Sequence, residues 1–131
     1  MIRLDLRSTL PIYEQIMNQY KYLVLRGYLK AGDAIPSVRK LALELKVTPG
    51  TVAKAYRELE SKRIIETVRG KGTFIAGSAD CQPDEGVVQK VKEEMRNQCM
   101  ELIYQGWDKE KVLHLVEEIF DGLQKRGRYT D

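Results

Sequence analysis

The chain has 131 residues, enough for one domain of ordinary size or a small domain with an appendage, which excludes a large two-domain enzyme. Hydrophobic residues make up 43% and charged residues 31%, a balance typical of a folded globular protein and unlike that of a disordered one. No apolar run approaches the roughly 18 residues that a membrane span needs, so we expect a cytoplasmic protein.

The net charge of +3 is unevenly distributed along the chain. Residues 1–77 carry 14 Lys and Arg against 7 Asp and Glu, whereas residues 78–131 carry 8 against 12. The two parts therefore have formal charges of +7 and −4. This asymmetry predicts a basic module that contacts a polyanion and an acidic module with a different role.

The first predicted helix lies between a proline and a glycine. Pro11 suits a first helical turn, and apolar residues recur at helical spacing until Gly27, a natural C-terminal stop. The next stretch, residues 28–35 (YLKAGDAI), has Gly-Asp turn chemistry and is too short for a helix between two others. We expect a loop there, with room for a short strand.

Two short helices are predicted close together after this loop. Ser37 can cap the first, which runs to about Lys46, and Thr48 can cap the second, which has Pro49 in its first turn. Each has an apolar stripe at i, i+3, i+4 and i+7, formed by Val38, Leu41, Ala42 and Leu45 in the first and by Val52, Ala55, Tyr56 and Leu59 in the second.

Residues 64–76 (IIETVRGKGTFIA) join two β-favouring runs through Arg-Gly-Lys-Gly. The glycines allow the positive φ angles that a tight hairpin needs. The sequence therefore predicts a two-stranded ribbon with a basic tip. Residues 77–86 (GSADCQPDEG) then collect turn-forming residues and are predicted to be a linker.

Two more helices are predicted in the acidic part of the chain. The fourth runs from about Glu85 to Tyr104 and is ended by Gly106, and Asp108 can cap the fifth. The polar residues 125–131 are expected to fray. Both helices have apolar faces that two helices cannot easily enclose alone, which predicts dimerisation through Val88, Val91, Met95, Cys99, Leu102, Val112, Val116, Ile119, Phe120 and Leu123.

The sequence offers little for catalysis or metal binding. Cys81 and Cys99 are too few for a disulfide framework, and neither lies in a CxxC pair or near a histidine at ligand spacing, so we expect ordinary thiols. His114 is the single histidine and has no nucleophile partner, which favours a packing or interface role where protonation could tune a dimer. No metal, no cofactor and no enzymatic activity are predicted.

Two short helices joined by a tight turn and followed by a β ribbon outline a winged helix-turn-helix, whose second helix enters the DNA major groove. The predicted fold class is therefore mainly α with a small β-hairpin. It comprises a winged helix-turn-helix at residues 1–77 and a linker with a two-helix dimerisation tail at residues 78–131.

The DNA-facing residues follow from helix geometry and charge. A helical wheel places Gly50, Lys54 and Arg57 opposite the apolar stripe of the third helix, with Thr51 on its flank. A phosphate is favoured at the start of the second helix, and basic side chains at the wing tip suit the minor groove. The predicted contacts are Ser37, Arg39, Lys40, Thr48, Gly50, Thr51, Lys54, Arg57, Arg69, Gly70, Lys71 and Gly72.

Simpler roles remain open for several of these residues. Lys54 and Arg57 could form an ordinary solvated face, with Arg57 paired to neighbouring glutamates. Ser37 is suited to an N-cap whether or not it also contacts phosphate. Gly70 and Gly72, taken alone, are turn residues.

Four spaced motifs resemble the GntR family of bacterial repressors. They are PIYEQI at 11–16, the G-L-AGD-IPSVRKLA pattern ending at 42, VTPGTVAKAYRELE at 47–60 and GKGTFIA at 70–76. The resemblance covers roughly residues 8–77. The tail of about 50 residues with two predicted helices is similar to that of the small YtrA-like subfamily. The subfamily resemblance implies a dimerising tail and regulation of neighbouring transporter genes.

Carried over by position, the resemblance implies that Arg39, Thr51, Lys54 and the Gly70–Gly72 wing face DNA. Two positions depart from the family pattern. Lys40 stands where the family often has glutamate, and Arg63 replaces the glycine that commonly follows the recognition helix. A non-glycine residue in a left-handed cap costs roughly 1 kcal/mol, so the resemblance leaves the turn geometry at Arg63 open.

The leading functional hypothesis is a homodimeric transcriptional regulator, a repressor, that binds a pseudo-palindromic double-stranded DNA operator. The alternative is a winged-helix adaptor that binds proteins and has no salt-sensitive affinity for duplex DNA. Trp107 could line a small effector pocket or anchor the packing of the tail. An effector site at the dimer interface is conceivable, but the residues give it no support.

Overall fold

The computed structural model describes residues 2–77 and 83–124, which belong to two compact units. The first unit contains α1 (Ile12–Leu25), β1 (Ala34–Ile35), α2 (Val38–Leu45), α3 (Pro49–Ser61), β2 (Ile65–Val68) and β3 (Gly72–Ile75). The second contains α4 (Glu85–Tyr104) and α5 (Lys109–Leu123). This architecture confirms the predicted mainly α fold with a small β-hairpin, and the hairpin is part of a three-stranded antiparallel sheet. The predictions for Cys81, for most of the linker and for the fraying end fall on residues 78–82 and 125–131, outside the described residues.

The helix-turn-helix begins and ends close to the predicted residues. Ser37 caps α2 as expected, because its Oγ accepts a hydrogen bond from the Lys40 backbone N–H at 3.1 Å. Lys46 ends α2 in the left-handed region at φ 58°. Thr48 is the N-cap residue of α3, but its side chain accepts no backbone N–H. The predicted side-chain cap at Thr48 is therefore wrong.

The hairpin of β2 and β3 belongs to a three-stranded antiparallel sheet with the order β1-β3-β2. Ile65 pairs with Ile75 at one end of the hairpin, and Val68 pairs with Gly72 beside the tip. β1 is the short strand allowed for in residues 28–35, and it pairs Ala34 with Phe74 on the other edge of β3. The wing is thus fastened to the segment that immediately precedes α2.

The core of the first unit is formed by apolar side chains from all three of its helices and from its sheet. α3 packs against both α1 and α2, so it occupies the centre of the unit. Apolar burial is the main stabilising contribution to such a unit, and each large side chain contributes about 1.5–3 kcal/mol. The largest fully buried side chains are Tyr20, Ile16, Leu59, Ile65, Ile75 and Val52.

The segment before α1 is fastened by two glutamines that the apolar pattern did not single out. The Gln15 amide accepts from the Asp5 N–H at 2.8 Å and donates to the carbonyl oxygens of Asp5 and Leu10 at 3.0 Å each. Gln19 accepts from the Arg3 N–H and donates to the Arg3 carbonyl oxygen. Because Gln15 is largely buried, these bonds satisfy polar atoms that have little contact with water.

The turn after α3 contains Arg63 in the left-handed region, at φ 60°. Its backbone N–H donates to the Glu60 carbonyl oxygen at 2.9 Å, and the Ile64 N–H donates to the Leu59 carbonyl oxygen at the same distance. Arg63 therefore forms a left-handed turn of the kind that favours glycine. The backbone strain is on the order of 1 kcal/mol.

The second unit consists of two capped helices without a buried core. Asp84 caps α4 by accepting from the Gly86 N–H at 2.9 Å, and Asp108 caps α5 by accepting from the Lys111 N–H at 2.9 Å. Gly106, at φ 87°, follows the end of α4. These ends agree with the sequence prediction. Neither α4 nor α5 contains a buried residue.

Candidate nucleic-acid interface

The burial pattern of α3 separates an inner face from an outer face. Val52, Ala55, Tyr56 and Leu59 are buried, whereas Gly50, Lys54 and Arg57 are exposed. Thr51 is half-buried on the flank. The wheel derived from the sequence thus gives the correct orientation of the helix. The predicted DNA-facing residues of α3 therefore lie on its exposed face or on its flank.

A buried pair of tyrosines fixes α3 against the start of α2. The Tyr56 hydroxyl donates to the Pro36 carbonyl oxygen at 2.6 Å and lies 3.0 Å from the Tyr20 hydroxyl. Since Tyr56 has a single hydroxyl hydrogen, Tyr20 must donate to Tyr56. Their rings meet edge-to-face at 5.9 Å. Burial raises the pKa of both phenols above the usual value, so both remain protonated at neutral pH.

The start of α2 combines a satisfied cap with exposed positive charge. Ser37, Arg39 and Lys40 are all exposed, and α2 has no acidic residue in its first turn. A helix N-terminus already favours an anion, because its first N–H groups lack intrahelical partners. A guanidinium beside it can add bidentate hydrogen bonds to a phosphate. This end of α2 can therefore hold a phosphate group.

The start of α3 presents two threonine hydroxyls in mutual contact. Thr48 Oγ1 lies 3.0 Å from Thr51 Oγ1, and the Thr51 N–H donates to the Thr48 carbonyl oxygen at 3.1 Å. Two hydroxyls that share one hydrogen bond leave one hydrogen free to donate elsewhere. The pair can thus donate to a phosphate or to a base edge, and Gly50 between them adds no side chain that would block the approach.

Lys54 has a partner that the sequence reasoning missed. Its Nζ lies 4.0 Å from the centre of the Tyr13 ring, and Tyr13 belongs to the first turn of α1. The Tyr13 hydroxyl donates to Glu14 Oε1 at 3.3 Å. Partial burial, followed by the nearby carboxylates of Glu14 and Glu58, raises the pKa of Tyr13. No local sequence pattern indicates this contact, because it joins residues 41 positions apart.

The wing tip is a tight turn closed by a hydrogen bond of 2.9 Å from the Lys71 N–H to the Val68 carbonyl oxygen. Gly70 and Gly72 have φ values of 79° and 126°, which the turn requires and which other residues rarely adopt. The side chains of Arg69 and Lys71 are exposed. The wing therefore presents two cations on a narrow loop.

α3 is also tied to the wing directly. Glu60 Oε2 accepts a hydrogen bond from the Thr67 N–H at 3.2 Å, which joins the last turn of α3 to β2. Together with the bond from Tyr56 to Pro36, this contact links α3 to the residue before Ser37 and to the strand that leads to the wing tip.

The predicted dimerisation residues of α4 and α5 are exposed or half-buried. Val88, Val91, Met95, Ile119, Phe120 and Leu123 are 37–57% exposed, and Cys99, Leu102, Val112 and Val116 are half-buried. These two helices also make few contacts with each other. The second unit thus leaves its apolar surface largely open.

The remaining candidate residues all lie in the second unit. His114 is exposed, and its Nε2 lies 3.3 Å from Glu118 Oε1. Trp107 lines a cleft of about 310 Å³, and the other lining residues include Cys99 and Ile103. Lys111 Nζ lies 4.5 Å from the centre of the Trp107 ring. Within residues 2–77 and 83–124, no group of three His, Cys, Asp or Glu residues is placed to hold a metal ion.

The helix-turn-helix with a β-hairpin wing defines the first unit as a winged-helix DNA-binding domain. The family described as "Bacterial regulatory proteins, gntR family" matches residues 12–75. The chain is also 45% identical, over all 131 residues and the full length of both proteins, to the HTH-type transcriptional repressor YtrA of Bacillus subtilis (strain 168). The chain therefore belongs to the GntR family, and its resemblance to YtrA-like members is confirmed.

Two solved structures extend this relationship. A transcriptional antiterminator from Listeria monocytogenes EGD-e has a TM-score of 0.87 and 37% identity, with 94% of this chain and 92% of that chain covered. AraR(DBD) in complex with operator ORX1 has a TM-score of 0.50 and 28% identity, with 56% of this chain and 92% of that chain covered. The described part of the present chain contains no helix with the length and apolar character needed to cross a membrane.

Proposed function

We propose that this chain is a transcriptional repressor of the bacterial cytoplasm that binds a pseudo-palindromic operator as a homodimer. The observation that carries the proposal is the linkage of three exposed basic segments by hydrogen bonds. They are the start of α2, the outer face of α3 and the wing tip, joined through Tyr56 and Glu60. An adaptor that binds proteins has no need of positive charge in all three places.

Each segment has a distinct role in the proposed complex. Ser37, Arg39 and Lys40 hold a backbone phosphate, and Arg39 can also reach a base edge. On α3, Gly50 permits close approach, while the Thr48–Thr51 pair and Lys54 contact base edges or phosphates, and Arg57 supplies further charge. At the wing, Arg69 and Lys71 flank the glycine turn and enter the minor groove, where negative potential is concentrated. The solved complex of AraR(DBD) with operator ORX1 supports DNA binding by a domain of this fold.

A second copy of the chain is the proposed partner of the acidic tail. α4 and α5 have no buried residue, and their apolar side chains remain exposed. Pairing two tails would cover this surface and would bring together two winged helices. Two recognition helices about 34 Å apart match one turn of DNA, which is why the operator is expected to be pseudo-palindromic. The division into a DNA-binding part at 1–77 and a dimerising part at 78–131 belongs to this proposal.

Fluorescence anisotropy with a duplex from upstream of the chain's own gene tests the DNA-binding role. The titration compares that duplex with a scrambled duplex at several salt concentrations. We expect preferential binding to the native duplex, with an affinity that falls linearly in log salt. Arg39→Ala should weaken specific binding by about 1–3 kcal/mol. Lys90→Ala, which removes an exposed positive charge from the other unit, is the matched control and should have little effect.

The outcomes separate the candidate functions. Equal, weak binding to both duplexes would contradict the chosen operator and call for selection from random DNA. No salt-dependent binding to any duplex would refute the repressor and favour the adaptor. A persistent monomer in sedimentation at micromolar concentration, with the tail helices intact, would refute the proposed dimer.

A further inference from the structure

The contact between Lys54 and Tyr13 joins the recognition helix to the first helix of the domain. Lys54 Nζ lies 4.0 Å from the centre of the Tyr13 ring, well inside the range of about 6 Å over which a cation and an aromatic face attract each other. Lys54 itself is exposed to solvent. The ring therefore attracts this ammonium group in the free protein.

Tyr13 is a fixed platform, whereas Lys54 is mobile by its chemistry. The Tyr13 ring packs against the hydrophobic core, and its hydroxyl donates to Glu14. Gln15, two residues further along, is buried and fastens the start of α1 to the preceding segment. The lysine side chain instead has a flexible four-carbon stem, so it loses rotamer freedom whenever it binds a fixed partner.

The nature of the contact leaves the lysine charge available for DNA. Within residues 2–77, the structure shows no ion pair between Lys54 and a carboxylate. A carboxylate would have to be displaced before a phosphate or base could bind. An aromatic face, in contrast, attracts the ammonium group without occupying a directed hydrogen-bond acceptor, so the N–H donors of Lys54 remain able to turn towards DNA.

We propose that Tyr13 is a positioning residue for DNA recognition, because its ring holds the Lys54 ammonium on the outer face of α3 before DNA binds. The inference deepens the proposed function and depends on it. Part of the rotamer freedom that Lys54 would lose in the complex is already lost in the free protein, and this pre-organisation increases the affinity.

A double-mutant cycle on operator affinity tests the coupling. It compares the wild type, Tyr13→Leu, Lys54→Ala and the double variant in the anisotropy titration described above. Leucine keeps apolar volume against the core and removes the aromatic face. We expect Tyr13→Leu to weaken binding about two- to five-fold in the wild-type background, the factor that an exposed cation–π contact corresponds to. In the Lys54→Ala background the same substitution should change the affinity less than about 1.5-fold.

Two further variants separate the ring from other effects. Tyr13→Phe keeps the aromatic face and removes only the hydroxyl, so it should bind like the wild type. Arg57→Ala provides a second cycle with Tyr13→Leu, in which the two effects should multiply independently, since Arg57 does not contact the ring. The thermal unfolding midpoint of each variant is measured as well, so that a weaker affinity caused by unfolded protein is recognised.

The results distinguish failure of this inference from failure of the proposed function. Equal loss from Tyr13→Leu in both Lys54 backgrounds, or equal loss from Tyr13→Phe and Tyr13→Leu, would refute positioning through the ring while leaving a DNA-binding protein. Absence of duplex binding by the wild type would refute both. Coupling confined to the Tyr13 and Lys54 pair, with Tyr13→Phe unchanged, would support the assignment.

Discussion

The two units of this chain bury apolar side chains in different ways. In residues 2–77, three helices and a sheet enclose side chains such as Ile16 and Leu59 completely. In residues 83–124, two longer helices are well capped, yet neither contains a fully buried residue. Side-chain caps and a helical apolar pattern are therefore enough for helices to form, but they do not by themselves produce a buried core. The first unit therefore has a buried core of its own, whereas the second leaves its apolar side chains exposed or half-buried.

The same contrast applies to charge. The basic part of the chain leaves cations exposed on an internally packed scaffold, which suits a rigid contact with a polyanion. The acidic part leaves apolar side chains exposed between charged ones, which suits association with another protein surface. This difference supports the proposed division between DNA binding and dimerisation, and three substitutions test it.

The largest expected effect is that of Phe120→Asp in α5. Phe120 is 57% exposed, and the proposed dimer would bury its ring. An aspartate there would bring a carboxylate into an apolar interface at a cost of several kcal/mol, so the dimer dissociation constant should rise at least about 100-fold in analytical ultracentrifugation. Asp121→Asn, at the neighbouring exposed position, should leave the dimer unchanged. An intact dimer in the Phe120 variant would contradict the proposed interface.

Leu59→Ala should affect only the first unit. Leu59 is fully buried in α3, and its truncation should lower the free energy of unfolding by about 2–5 kcal/mol. Hydrogen exchange resolved by segment measures this, because residues 2–77 should lose protection while residues 83–124 keep theirs. Leu43→Ala removes the same atoms from a side chain that is 74% exposed and should cost less than about 0.5 kcal/mol. Equal loss of protection in both units would show that they do not fold separately.

Tyr56→Phe should have a smaller effect on the same unit. The substitution removes the hydroxyl that donates to the Pro36 carbonyl oxygen and accepts from Tyr20. Leaving these buried groups unsatisfied should lower the free energy of unfolding by about 1–3 kcal/mol in urea denaturation. It should also weaken operator binding, since Pro36 directly precedes the end of α2 that is proposed to hold a phosphate. Tyr104→Phe, where the ring is 87% exposed, should change neither quantity.

Most helices could be predicted from the sequence because their ends are encoded locally. Ser37 and Asp108 cap α2 and α5 with their side chains as expected, and Gly106 follows α4 in the left-handed region. The apolar stripe of α3 also gave the correct inner face. These features depend on residues within one or two turns of each other, which is the range over which sequence patterns are informative.

The features that sequence could not provide depend on distant or very short segments. β1 has two residues, too few to show an alternating pattern, so its pairing with β3 had no local signal. Thr48 has the residue type of a side-chain cap, but its hydroxyl is hydrogen-bonded to the Thr51 hydroxyl and not to a backbone N–H of α3. The contact of Tyr13 with Lys54 requires the packing of α1 on α3. The DNA-facing and dimerising residues remain predictions, since their exposure alone does not identify what they bind.

Lys46 and Arg63 have a consequence for engineering the stability of this domain. They follow α2 and α3, and both adopt positive φ values, 58° and 60°, that glycine would adopt without steric cost. A cation near a helix C-terminus interacts favourably with the helix dipole, which offsets part of the strain. Both positions lie outside the predicted DNA contacts. They are therefore the first places at which to seek a higher melting temperature without altering the residues that would read the operator.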